Sequence, residues 1–135
     1  MTVIARLVRP AELAAVKAYA DTARLGEPSL ADLLVVAEND ASYVGLVRLS
    51  HERGELILHG LQADHLEAPA LLMQDAARWI AHQACWALAQ AVDSPLMIEH
   101  GFTEPDIQIP EFLLELKASR ETGDCALQIL HRAAK

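Results

Sequence analysis

Between Leu33 and Gln83 the chain changes its hydrophobic pattern once, and that change limits what it can fold into. Three apolar, β-rich runs come first: LLVVA (33–37), SYVGLVRLS (42–50) and ELILHGLQA (55–63). Only Glu38–Ala41 and His51–Gly54 separate them. Connections this short join antiparallel neighbours, so a three-stranded meander is expected. Pro69 then opens a helix in which Leu72, Ala76, Trp79, Ile80 and Gln83 recur at helical spacing. A helix with one such face must lay it on the sheet that precedes it. Gly60 stands inside the third strand, where glycine marks either a bulge or a weak strand end.

The flanks extend this unit. Thr2–Val8 reads as a strand, and Pro10 followed by AELAAVKAYADTARLG reads as one helix stopped at Gly26. Leu13, Val16, Ala20 and Ala23 share its apolar face. Beyond the central helix, CWALAQA (85–91) reads as a strand and Pro95–His100 as a short helix, after which Phe102 enters the core. EFLLELKASRETG after Pro110 is a further helix, and CALQIL (125–130) a last strand. There is no repeat, linker or low-complexity stretch, so residues 1–135 are read as one domain.

Charge and cysteine content remove whole classes of function. Nineteen acidic against eleven basic residues give a formal net charge of −8. Such a surface repels phosphate backbones, so nucleic acid is not an expected partner. Cys85 and Cys125 form no CxxC pair and read as two buried free thiols. No apolar run reaches the length of a membrane span, and the start MTVIARLVRP does not read as a signal peptide. A cytoplasmic protein without membrane contact is the expectation.

Three stretches carry a family resemblance. VAENDASYVGLVRL (Val36–Leu49) is similar to a hairpin in which a turn precedes a "VG" strand. ELILHGLQAD (Glu55–Asp64) is similar to a central strand that splays from its neighbour, and IEHGF (Ile98–Phe102) to a late Y-x-x-x-G-F element. In this order and spacing they resemble the GNAT superfamily, the acetyl-CoA-dependent N-acetyltransferases, in a degenerate form. The resemblance implies an α/β (α+β) fold with a mixed, mostly antiparallel central sheet flanked by helices. It also implies that main-chain groups of Leu61, Gln62, Ala63 and Asp64 would bond the pantetheine arm of the cofactor.

Two pieces of the family pattern are missing. Its central strand is followed by an R/Q-x-x-G-x-G/A loop, whose glycines let backbone N–H groups close around a pyrophosphate at a helix start. Here that place holds Glu67-Ala68-Pro69-Ala70-Leu71-Leu72-Met73, without glycine or arginine. Pro69 also removes a donor. Asp64, Glu67 and Asp75 add negative charge, and each like-charge pair a few Å apart costs about 1 kcal/mol or more. The family's late tyrosine, able to protonate the leaving thiolate, corresponds to Met97, which has no proton to give.

What remains for chemistry is slight. His59 is expected to share a face with Ile57 and Leu61, and in the family's cleft a histidine could take the proton of an amine. The alternative is a half-buried histidine satisfied by the protein. His51, His59 and His65 match no metal-site spacing, so no metal is expected. No serine lies in a G-x-S-x-G context. Trp79 and Trp86 read as core.

The expected function is therefore that of a GNAT-like domain with a degraded pyrophosphate loop, non-catalytic, binding a protein partner, a peptide or a small ligand. No cofactor is required, although weak acetyl-CoA or other acyl-CoA binding can survive through the main chain. Homodimerisation through Phe112, Leu113 and Leu116 is one expectation for the C-terminal half, and a core role for the same residues the other. The alternative function is an active N-acetyltransferase acting on a small amine. The Glu67–Met73 helix start discriminates between them. Free N–H groups around a cavity favour the enzyme, and a start capped from within favours the binding domain.

Overall fold

The computed structural model describes residues 2–123 and 125–135. Six strands form one sheet whose spatial order is the chain order: β1 (Val3–Leu7), β2 (Leu33–Asn39), β3 (Ser42–Glu52), β4 (Glu55–Ala63), β5 (Cys85–Ala89) and β6 (Gln128–Arg132). Neighbours are antiparallel except β4 and β5, which run parallel and pair only at Ile57–Trp86 and Leu58–Ala87. The mixed, mostly antiparallel sheet is the one expected. Among the described residues no helix is long and apolar enough to cross a membrane.

Both hairpins of the meander are tighter than the turn residues suggest. The strands run on until two residues remain in each loop, Asp40-Ala41 and Arg53-Gly54. All four have positive φ, from 52° to 80°. That is the geometry of a turn whose twist matches the strands.

Helices cover both faces. On one lies α3 (Ala68–Ile80), burying Leu72, Met73, Ala76 and Ile80 against Val35, Val47, Leu49, Leu58 and Leu61. Each fully buried leucine or isoleucine there is worth about 1.5–3 kcal/mol. Gly45 of β3 lets this helix approach closely, since a Cβ there would lie 2.7 Å from Leu72 Cδ1. On the opposite face lie α1 (Leu13–Tyr19), entered through a 3-10 turn at Pro10–Glu12, then α2 (Thr22–Leu25) and α5 (Glu111–Arg120). The short α4 (Ser94–Glu99) follows β5.

Several expectations are corrected. The first helix is two, because Ala20 adopts extended backbone (ψ 138°) between α1 and α2. The last strand starts at Gln128 rather than Cys125. Trp86 is core, but Trp79 is 42% exposed at the edge of α3, where it borders a cavity of about 240 Å³. Cys85 is buried, its thiol pushed up to about 12 by burial, whereas Cys125 is only half-buried. Phe102 is buried as expected. Leu113 is fully buried, and Phe112 and Leu116 pack against the same cluster with Ile57 and Trp86, so the core reading accounts for all three.

Strand alternation fails twice, both times at a bulge. Ala37 pairs Gly45 but Glu38 pairs Tyr43, which leaves Val44 extra. The slip turns Tyr43 toward α1, where it meets the Tyr19 ring at 5.7 Å and donates to Glu12 at 2.8 Å. In β4, Gly60 pairs Arg48 but Leu58 pairs Leu49, which leaves His59 extra. Gly60, at φ 147°, accommodates this bulge.

Candidate functional site

The bulge at His59 decides which way the end of β4 faces. Ile57 packs with Trp86 and Leu113 on the α5 side, while Leu61 joins the α3 side. His59 keeps the first of these directions, so it shares a face with Ile57 but not with Leu61. It is 1% exposed, its Nε2 lies 2.6 Å from Ser50 Oγ, and its buried Nδ1 has no partner among the described residues. Burial, and then the charges of Arg48 and Arg120, push its pKa down to about 2. The imidazole is therefore neutral near pH 7, and a base so weak takes little of an ammonium proton.

Around His59 runs a buried polar seam. Arg48 donates to Asp32 Oδ2 at 2.7 Å and to the Leu25 carbonyl at 2.8 Å. Arg120 donates to the Arg24 carbonyl at 2.9 Å, and its own pKa is lowered by burial and by Arg48. Gly26 fits between the two guanidinium groups, where a Cβ would lie 2.5 Å from one and 2.7 Å from the other.

Past Leu58 the β4 and β5 strands part and leave an open cleft of about 710 Å³. Leu61, Ala63 and Asp64 line one wall, Gln90, Val92 and Asp93 the other. Asp64 donates its N–H to the Val44 carbonyl of β3 at 2.7 Å. By antiparallel alternation Gln62 faces β3 as well, while Leu61 and Ala63 turn their main chain toward the cleft. Of the four residues whose main-chain groups were expected to bond a cofactor, Leu61, Ala63 and Asp64 line this cleft, and Leu61 and Ala63 turn main-chain groups to it. The Gln62 side chain points elsewhere, accepting from Asp21 N–H at 2.7 Å and donating to the Tyr19 carbonyl at 3.0 Å. His59 is not on the wall of this cleft. It borders a neighbouring pocket of only about 10 Å³.

Arg24 and Asp93 are the cleft residues that the sequence does not mark. Arg24 reads as a helix-end cation and Asp93 as a turn residue, because nothing in linear order places them together. Arg24 donates to the Leu61 carbonyl at 3.0 Å. Asp93 is buried, and burial raises its pKa while Arg24 opposes the rise. Tyr19 donates to the Asp64 carboxylate at 2.5 Å, tying α1 to the mouth of the cleft. Burial and that carboxylate raise the Tyr19 pKa.

The start of α3 borders the same cleft, and two of its N–H groups are taken up locally by His65 although its N-cap residue, Glu67, makes no side-chain cap. The Ala68 N–H donates to the His65 carbonyl at 3.1 Å, and the Glu67 N–H to His65 Nδ1 at 3.1 Å. Pro69 has no N–H, and Asp64 stands beside it on the cleft wall. A pyrophosphate needs several free donors and a positive field. These residues do not fit one. Met97 is fully buried with Phe102 in the apolar cluster under α3, so its side chain does not reach the cleft.

A six-stranded, mostly antiparallel sheet flanked by helices gives this chain the fold of the GNAT N-acetyltransferases. Solved structures place it there across the whole chain. An N-acetyltransferase from Staphylococcus aureus Mu50 superposes with a TM-score of 0.65 at 12% identity, covering 100% of both chains. A Bacillus subtilis acetyltransferase in complex with CoA gives 0.62 at 14% identity, over 99% of this chain and 100% of that one. The PaiA N-acetyltransferase of Thermoplasma acidophilum, in complex with coenzyme A, gives 0.59 at 14% identity, over 98% and 99%. No protein-family model and no curated protein matches the sequence.

Proposed function

We propose that this chain is a GNAT-fold binding domain that uses the β4–β5 cleft for a ligand and does not transfer acetyl groups. The observation that carries the reading is the closed start of α3. His65 takes the Glu67 and Ala68 N–H groups, and Pro69 contributes none. Asp64 and Glu67 oppose an anion at the same place. The cofactor-bound neighbours hold coenzyme A, and here its pyrophosphate would lose both donors and field. The buried, neutral His59 and the buried Met97 support the same reading, since neither provides an acid or base on the cleft wall.

One observation favours an active acetyltransferase on a small amine as a second reading. The cleft is open, and the main chains of Leu61 and Ala63 face it, so an acyl-pantetheine arm retains part of its path. Calorimetric titration with acetyl-CoA, with a thermal-shift control, separates the two. Absence of heat and of any shift at millimolar acetyl-CoA is expected. Micromolar binding, about −8 kcal/mol, overturns the proposal and directs attention to amine substrates.

A further inference from the structure

Resting on the reading that the cleft binds something other than coenzyme A, we infer that its occupant is an extended peptide carrying basic and aliphatic side chains, added as a strand along the free side of β4. Leu61 and Ala63 present main-chain groups away from β3 into a gap where β5 no longer pairs. A strand end with one satisfied and one open side is a template for a further strand. The hydrogen bond from Arg24 to the Leu61 carbonyl shows that this acceptor is accessible to a donor from the cleft. An incoming peptide N–H takes that place.

The chemistry of the walls selects the side chains. The cleft holds two carboxylates, Asp93 and the Tyr19-bonded Asp64, beside one guanidinium, Arg24, and the His65 imidazole, in a chain of net charge −8. A cationic side chain complements that balance and an acidic one opposes it. At the lips, Leu66 is 98% exposed and Val92 78% exposed, one on each side of the opening. Two large aliphatic groups left bare at one mouth gain by covering aliphatic side chains of a ligand. Side chains alternate along a strand, so one peptide can present cations to the carboxylates and aliphatics to the lips.

The probe is a blocked pentapeptide of alternating leucine and lysine with leucine at both ends, titrated against the full chain by calorimetry and by amide chemical shifts. Saturable binding is expected, with the largest shifts at Leu61 and Ala63. Two control peptides are each expected to bind at least tenfold more weakly. One replaces lysine by glutamate, and the other keeps every charge but carries N-methyl groups on the backbone. Ala63→Pro removes an N–H that the β3 ladder does not use and should weaken the peptide about tenfold. Asp93→Asn should weaken it independently, so the result does not depend on one variant folding. Equal affinity of the N-methylated peptide, or no saturable binding of any peptide, overturns the inference while leaving the acetyl-CoA result untouched. Micromolar acetyl-CoA binding instead removes the reading on which the inference rests.

Discussion

The two faces of the sheet are built on different principles. Under α3 the contact is largely apolar from Val3 to Leu130, with Gly45 letting the helix press against β3 and a single carboxylate of the helix, Asp75, buried beside it. On the opposite face the apolar side chains divide into two groups, one under α1–α2 and one under α5. Arg48, Asp32, Ser50, His59 and Arg120 run between them. The first face is held mainly by shape and burial. The second holds buried charge, which tolerates only those partners that satisfy it.

The largest effect is expected from setting a charged deletion against an apolar one. Asp32→Ala leaves the buried Arg48 guanidinium without its 2.7 Å partner and should cost about 3–5 kcal/mol by urea denaturation. Adding Arg48→Met should recover much of that loss. Leu72→Ala under α3 should cost about 2–5 kcal/mol, and no second deletion should restore it. If removing Arg48 does not help, the seam is not held by charge and the contrast fails.

A smaller effect tests the bulge through which β4 enters the seam. Gly60→Ala forces a side chain into φ 147°, with Leu25 Cδ2 only 3.0 Å away, and should cost about 1–3 kcal/mol in melting experiments. The last effect is a slope, absent at neutral pH and seen only on acidification. The pKa of His59 falls from 6.5 to about 2 on folding, so the unfolded chain takes the proton first as pH drops. The stability it supports is fully present above about pH 6.5 and is lost progressively between there and pH 2. His59→Gln should flatten stability against pH in that window. An unchanged slope would mean that His59 is not the titrating group.

The sequence showed the apolar face better than the polar one for a physical reason. Period-two and period-3.6 patterns report burial of hydrocarbon, so the meander and α3 stood out. A bulge moves a whole strand segment to the other face without changing composition, so Leu61 does not share the face of His59 that alternation predicts. Gly60 was the one local sign of the second bulge, and Val44 gave none for the first. That Glu67–Met73 holds neither glycine nor arginine was legible because residue type is read directly. The capping by His65 is local, reaching only two and three residues on, but histidine is not a usual capping type and so gave no signal. The meeting of Arg24 with Asp93 depends on distant elements coming together, and no local pattern encodes that.

Because sheet order follows chain order, every strand finds its partner among its sequence neighbours. The two hairpins need to close only two-residue loops, a fast event that costs little loop entropy. The parallel join of β4 to β5 has to wait for α3 to lie across the sheet, and it then supplies only two pairs. Folding should therefore begin in the β2–β4 meander, with the β4–β5 join and the longer β5–β6 connection closing afterwards. The part of the molecule available to a ligand is thus also a part that the folding chain completes late.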